Sequence, residues 1–320
     1  MDQLLNQQAL YFEKQAAKKT SNKVGLGILL FLAIENFITL GFSIFILLFP
    51  QYSYLVKDSV FNYIYSSLIS LLCYLLCGIV IIKSQKRKIN DIIAFSKPKA
   101  PVFPLVMIGL GVCMFSNIVA GVFASFMPFE LKMPQLETPT NPFGAAVYII
   151  SASLFPAFLE EFFFRGAIYG SLKKFGKVTA VVVSSILFSL IHGNLVQIPF
   201  AFVAGLILGF VTAESDSIWP AIIIHFINNF MSCVIDYVGI FYGENTGSFV
   251  FSIYLMVFLA LGIVFAVVYT SKPDRKAFTY PKTPHITPKG KLLSYILFTP
   301  TNIIFYCIIV VSVILVQLAG

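Results

Sequence analysis

The stretch Glu160-Glu161-Phe162-Phe163-Phe164-Arg165 lies within an apolar run from about Phe143 to Leu172, and its reading decides the fold. Insertion scales put each ionisable group near the middle of a membrane helix at ~2.5–3.5 kcal/mol. Three such groups left unpaired cost on the order of 10 kcal/mol, so they must be paired, hydrated or kept for chemistry. Glu161 and Arg165 stand four residues apart, which puts them on one helical face as an acid–base pair. On an α-helix Glu160 points about 100° away from Glu161, so the two carboxylates serve different tasks.

The surrounding chain of 320 residues is 58% hydrophobic and only 11% charged, with a mean hydropathy of +0.89. Soluble domains carry about 25% charged residues, so the solvent of this chain is lipid. The expected fold is an all-α polytopic membrane protein, a helical bundle of roughly eight to nine transmembrane helices. Apolar segments run over about 25–49, 59–83, 102–127, 143–172, 178–192, 197–213, 218–238 and 248–270, with a last one ending at Gly320. Residues 1–23 carry Lys14, Lys18, Lys19 and Lys23 among apolar side chains, which predicts an interfacial amphipathic lead-in without the features of a signal peptide. A basic, proline-rich linker is expected from Lys272 to Lys291.

The net charge of +8 does not point to nucleic acid, because the basic residues flank the spans. Lysine clusters follow the second, fourth and eighth spans, which by the positive-inside rule puts the N-terminus in the cytoplasm. The expected location is a multi-pass protein of a bacterial plasma membrane, and the partner in every reading includes the lipid bilayer. The five cysteines all fall in apolar segments, none in a Cys-x-x-Cys pair, and read as core thiols. Glu35, inside the first span, is expected to hydrogen-bond a neighbouring helix or to sit protonated, with a water-filled cavity as the alternative, and Asn117 in the third span to join helices.

Two histidines join the acidic stretch. His192 ends Phe188-Ser189-Leu190-Ile191-His192, and His225 opens His225-Phe226-Ile227-Asn228-Asn229. The four-residue spacings put Phe188 beside His192 and Asn229 beside His225. Glu160 lies thirteen residues before Lys173, His192 fifteen after Lys177, and His225 nine after Asp216. At 1.5 Å per residue these are depths of ~20, ~22 and ~14 Å, one layer within the membrane once tilt is allowed. Pro156, one turn before Glu160, frees backbone groups toward the same layer. A carboxylate and a histidine sharing a water form a general base, and a second histidine with an amide suits an oxyanion. Together they describe hydrolysis of an amide bond. The same intramembrane acids and bases would also serve a proton-coupled transporter or a non-catalytic scaffold or immunity protein, although no internal repeat supports a transporter.

These residues resemble the CAAX-protease and bacteriocin-processing family, also called Abi, which includes the type II CAAX prenyl endopeptidases. Its motifs Glu-Glu-x-x-x-Arg, Phe-x-x-x-His and His-x-x-x-Asn stand here as Glu160-Glu161…Arg165, Phe188…His192 and His225…Asn229. The resemblance implies an intramembrane endopeptidase, similar to a CAAX prenyl protease 2, acting on a membrane-associated peptide or lipidated protein. By that analogy Glu160 and His192 activate the attacking water, and His225 and Asn229 hold the oxyanion. Glu161, Arg165 and Phe188 support them. A metal-free site is favoured, with zinc on Glu160, His192 and His225 as the alternative. Residues 1–142 then form the lead-in and three spans, 143–240 a protease core of four spans, and 241–320 the C-terminal spans with the linker. The eukaryotic relatives trim prenylated proteins, while bacterial ones are tied to peptide or bacteriocin processing and immunity. The Ile-, Phe-, Lys- and Asn-rich composition favours the bacterial role. The sequence does not indicate an oligomeric state.

Overall fold

The computed structural model describes residues 2–86, 88–92, 94–131, 136–271, 278–280 and 287–319. Among these residues the regular structure is helical throughout, with no strand. Eight helices are long and apolar enough to cross a membrane, which makes this a multi-pass integral membrane protein of the all-α class. The long elements are α1 (Asp2–Leu48), α2 (Ser59–Ser84), α3 (Val102–Ser125) and the composite α4 (Pro142–Phe175). They continue with α5 (Lys177–Leu190), α6 (Gln197–Ser215), α7 (Trp219–Tyr242) and α8 (Glu244–Thr270). A short α9 (Lys289–Leu297) and α10 (Pro300–Ala319) complete the chain. Most of the proline-rich linker, together with Arg87 and Lys132, lies outside the described residues.

Local chemistry sets several helix ends. The Asp58 carboxylate accepts from the Phe61 amide at 2.9 Å and starts α2. The Asn141 side chain does the same for Gly144 at 2.8 Å ahead of α4. Each satisfies a donor that the first helical turn leaves open. Nothing breaks the chain between residues 2 and 48, so the lead-in is continuous with the first span. Lys14 and Lys18 of that lead-in sit over the Tyr295 ring on α9, at 5.2 and 5.8 Å from its centroid.

Two expectations need correction. The apolar run 178–192 is not a span: α5 has 14 residues and stops at Leu190, about 20 Å of rise against a ~30 Å hydrocarbon core. Its start and the end of α6 are tied together, with Lys177 donating to the Ala213 carbonyl and to Asp216, each at 2.7 Å. The pair α5–α6 is therefore a hairpin whose turn lies inside the bundle. Gly193 reverses the chain there with φ +65°, a conformation that side chains with a Cβ rarely take. The helix–helix bond expected of Asn117 is also absent among the described residues. The Asn117 amide bonds to Cys113 of its own helix at 3.0 Å.

Buried apolar side chains form two clusters, one mainly on α1, α2, α4 and α5, the other mainly on α3, α6, α7 and α8. Ile222 of α7 belongs to the first and Ile224 to the second, so His225 follows the seam between them. The second cluster depends on a close crossing of α3 and α8. A Cβ at Gly262 would stand 2.7 Å from the Gly111 Cα, closer than real Cβ atoms come. Small residues let membrane helices meet backbone to backbone.

Lysines gather at one end of the bundle. Lys23 donates to the Ser84 carbonyl, and Lys99 and Lys177 both pair with Asp216, at 3.1 and 2.7 Å. Asp216 joins α6 to α7 in a left-handed conformation, φ +48°. Partial burial opposes its charge, but bonds and attraction from Lys177 and Lys99 outweigh that and hold its carboxyl below the usual range.

Two predictions test these constraints. Gly262→Ala forces α3 and α8 apart and destabilises the protein by about 1–3 kcal/mol, read as a lower Tm in detergent. Gly121→Ala, with open space around its Cβ position, leaves Tm unchanged. Because the Asp216 pKa is depressed on folding, its contribution is complete above the unfolded value and fades as pH falls through the folded one. Asp216→Asn therefore lowers Tm at pH 7, and its difference from wild type closes as the pH drops below the ordinary carboxylate value of 3.8. A constant difference across that range would show that the charge is not the stabilising feature.

Candidate functional site

Arg165 and Glu161 are both fully enclosed, and their side chains meet at 2.9 Å between Nη1 and Oε1. A second guanidinium nitrogen, Nη2, donates to the Gly205 carbonyl at 3.0 Å, and the Phe188 ring lies 4.4 Å away across the guanidinium face. The same Glu161 Oε1 meets His225 Nδ1 at 2.9 Å. An ionised carboxylate can only accept, so Nδ1 carries the proton. The chain of contacts runs Arg165 to Glu161 to His225, from α4 across to α7. It fixes which imidazole nitrogen stays free.

That free nitrogen faces Glu160. His225 Nε2 stands 3.9 Å from Glu160 Oε2, and on its other oxygen Glu160 accepts from the Tyr74 hydroxyl at 3.4 Å. One imidazole therefore lies between the two adjacent carboxylates, in direct contact with one and near the other. Adjacent helical residues point about 100° apart, and both carboxylates still meet His225 because its two ring nitrogens face different ways; Glu160 ends an α-helical turn and Glu161 opens a π stretch, Glu161–Tyr169. Single π turns often mark functional sites. Glu160 also borders a cavity of about 50 Å³ lined by Ser66, Ser67, Ser70, Ser151 and Tyr74. Such a space is polar and large enough to admit water.

His192 lies in the turn beyond α5. Its Nδ1 bonds to the Phe188 carbonyl, one helical turn back, at 2.8 Å. A carbonyl only accepts, so again Nδ1 carries the proton and Nε2 remains free. The Phe188 ring sits edge-on to both imidazoles, 5.1 Å from His192 and 6.1 Å from His225 between centroids. Phe188 is thus a shared wall between the two histidines as well as a lid over Arg165. The turn is held by Asn194, whose amide donates to the His192 carbonyl at 3.0 Å and to Gln197 at 2.7 Å. Its oxygen accepts from the Gln197 backbone at 2.9 Å, which starts α6.

Asn229 meets the backbone of α4. Its Nδ2 donates to the Ala152 carbonyl at 3.3 Å, and Pro156, four residues on, has no N–H to give that carbonyl. A π stretch, Ile150–Leu154, precedes the proline. One amide proton of Asn229 is thereby used and the second is available. Asn228 donates to Asn229 Oδ1 at 3.2 Å. Both asparagines line a large cavity of about 740 Å³ at the end of the bundle opposite the lysines.

The structure thus gathers Glu160, Glu161, Arg165 and His225 by direct approach, with Phe188 touching His192 and His225. Asn229 joins through α4. Three neighbours escaped the sequence reading. Tyr74 and Asn194 gave no signal beyond being polar in apolar surroundings. Asp236 lines the large cavity and accepts from the Tyr148 hydroxyl at 2.5 Å. As an acid inside a predicted span it carried a signal of its own.

The donors do not converge as a zinc site requires. Glu160 and His225 approach one another, but no group of three His, Cys, Asp or Glu among the described residues could hold a metal ion. Glu161 is committed to Arg165 and His225.

No curated protein and no solved structure matches the chain. A family model does, described as type II CAAX prenyl endopeptidase Rce1-like, over residues 142–231. The match spans α4, α5, α6 and the first half of α7, and it contains all seven motif residues. Residues 142–231 of this membrane protein are therefore similar to the Rce1-like domain of CAAX-type intramembrane proteases.

Proposed function

We propose that the protein is an intramembrane endopeptidase that cuts a membrane-associated peptide or lipidated protein with water activated by Glu160 and His192. The observation that carries this reading is His225, gripped through Nδ1 by the Glu161–Arg165 pair so that Nε2 faces Glu160 3.9 Å away. In this reading water enters the serine-lined space beside Glu160 and gives a proton to Glu160 or His192 as it attacks the scissile carbonyl. The second amide proton of Asn229 stabilises the oxyanion, and so does His225 once its Nε2 also carries a proton, since positioned donors contribute most there. Glu161 and Arg165 hold the His225 ring in place through Nδ1, and Phe188 spaces the imidazoles. The proton then passes to the leaving amine, which completes hydrolysis.

The lysines at one end of the bundle support a cytoplasmic N-terminus in a bacterial plasma membrane, with the large cavity opening on the opposite side. Within that setting the substrate class is a bacterial peptide or bacteriocin, with processing or immunity as the outcome. The family resemblance and the composition support this finer reading.

Glu160→Gln keeps size and polarity but removes the base, and lowers kcat by roughly 10²–10⁴-fold in a detergent or nanodisc cleavage assay, with Tm unchanged. Retained cleavage would sink Glu160 as the base. Asn229→Ala lowers kcat by about 10²–10³-fold with little change in KM if it holds the oxyanion. An equal loss of folded protein would make it a structural residue that covers the Ala152 carbonyl.

The metal question has its own test. Exhaustive chelation leaves cleavage unchanged in the metal-free mechanism, whereas loss that returns on adding zinc establishes a metal site.

A further inference from the structure

The 740 Å³ cavity lies between α2, α3, α4, α6, α7 and α8 and is within the roughly 300–1,000 Å³ range of ligand pockets. One end reaches Asn228 and Asn229 beside the candidate site, and farther along α7 it is lined by Asp236. Asp236 is exposed to this space. Its Oδ2 accepts from Tyr148, and no Lys or Arg among the described residues pairs with it. Among the described residues no Lys, Arg or His lines the cavity, and Asp236 is their one charged side chain there. Aromatic faces surround that charge. Tyr63 and Tyr148 line the cavity together, with ring centroids 5.0 Å apart, and Tyr254 closes another side.

A carboxylate beside aromatic rings, in a space partly withdrawn from water, suits an organic cation: the acid supplies charge and the rings supply cation–π contact. We propose that the cavity seats the substrate peptide and that Asp236 recognises a basic side chain on it, Lys or Arg. This inference rests on the peptidase reading for its substrate, and it deepens that reading by naming the residue class recognised. Asn229 and Asp236 are seven residues apart on α7, about 10.5 Å along the axis. An extended peptide covers ~3.3 Å per residue, so the basic side chain lies about three residues from the scissile bond.

The test separates binding from cleavage. Two lipidated fluorescent peptides, identical except for Lys or norleucine at one position, are titrated against the Glu160→Gln protein in nanodiscs. The Lys peptide is expected to bind about tenfold tighter. Asp236→Asn, which preserves shape, removes that preference, while Asp236→Glu keeps it and shows that the effect follows charge. Equal binding of the two peptides, or a preference that survives Asp236→Asn, overturns the inference. The wild-type protein is then given both peptides and the cut site is mapped by mass spectrometry. A cut about three residues from the lysine supports the spacing, and a cut directly beside it overturns that part. If wild type cuts neither peptide while the Asp236-dependent preference persists, the peptidase reading fails and the recognition site stands. If it cuts both equally, the reverse holds.

Discussion

The buried contact of Arg165 with Glu161 is the constraint on which the rest of the polar interior depends. Both side chains are closed off from the exterior, and an ion pair there is weak evidence for stability because desolvation consumes most of the attraction. Its consequence is geometric. Glu161 Oε1 serves Arg165 and His225 at once, so the rotation of α4 sets the position of α7 and the tautomer of His225. Arg165 extends the same constraint to α6 through the Gly205 carbonyl. Three helices are therefore registered by one guanidinium and one carboxylate. Glu161 Oε2 and Arg165 Nε have no hydrogen-bond partner among the described residues, so the contact leaves part of each charged group unsatisfied. Phe188, packed over the guanidinium, limits access to them.

Around this contact the backbone departs from regular helix where a spanning protein can tolerate it least. Irregular backbone at membrane depth survives only where it is covered by protein or lines a watered cavity. Each irregularity here has such a partner. The proline break at Pro156 leaves the Ala152 carbonyl to Asn229. The α5–α6 turn hands its open groups to Asn194, and Val196 and Gln197 then line the large cavity. The two π stretches bracket Phe155–Glu160, so the segment carrying Glu160 is flanked on both sides by altered helical register. The small cavity meets α4 at Ser151 and the large one at Ala152. A break of one turn thus opens the helix on two faces.

What the sequence could reveal followed from physics that is local or compositional. The apolar spans were legible because lipid demands them, and the Glu161–Arg165 contact because helical spacing imposes it. The 178–192 segment was misread because apolarity alone does not tell a short buried helix from a span; its 14 residues and Gly193 carried the distinction. The offset between Glu160 and Glu161 is local helix geometry, whereas the imidazole that lies between them comes from α7 and its approach is a property of the bundle. Asn117 was assigned to a neighbouring helix on cost alone, yet it satisfies its own helix and lines the cavity. Which partner a polar side chain finds depends on crossings such as Gly111 against Gly262, and those are properties of the whole bundle.

The free valences of the site argue for a division of labour among side chains that are chemically alike. Of two glutamates, one is committed to a guanidinium and an imidazole, while the other meets only a tyrosine hydroxyl at 3.4 Å and a histidine at 3.9 Å. The two histidines direct Nδ1 to the protein and keep Nε2, one through a backbone carbonyl and the other through a carboxylate. Those two restraints differ in consequence. A carbonyl fixes the position and tautomer of His192 without a charge, whereas a carboxylate, itself held by a guanidinium, stands behind His225. Identical side chains thus stand in unlike surroundings, and the Arg165–Glu161 contact makes the difference.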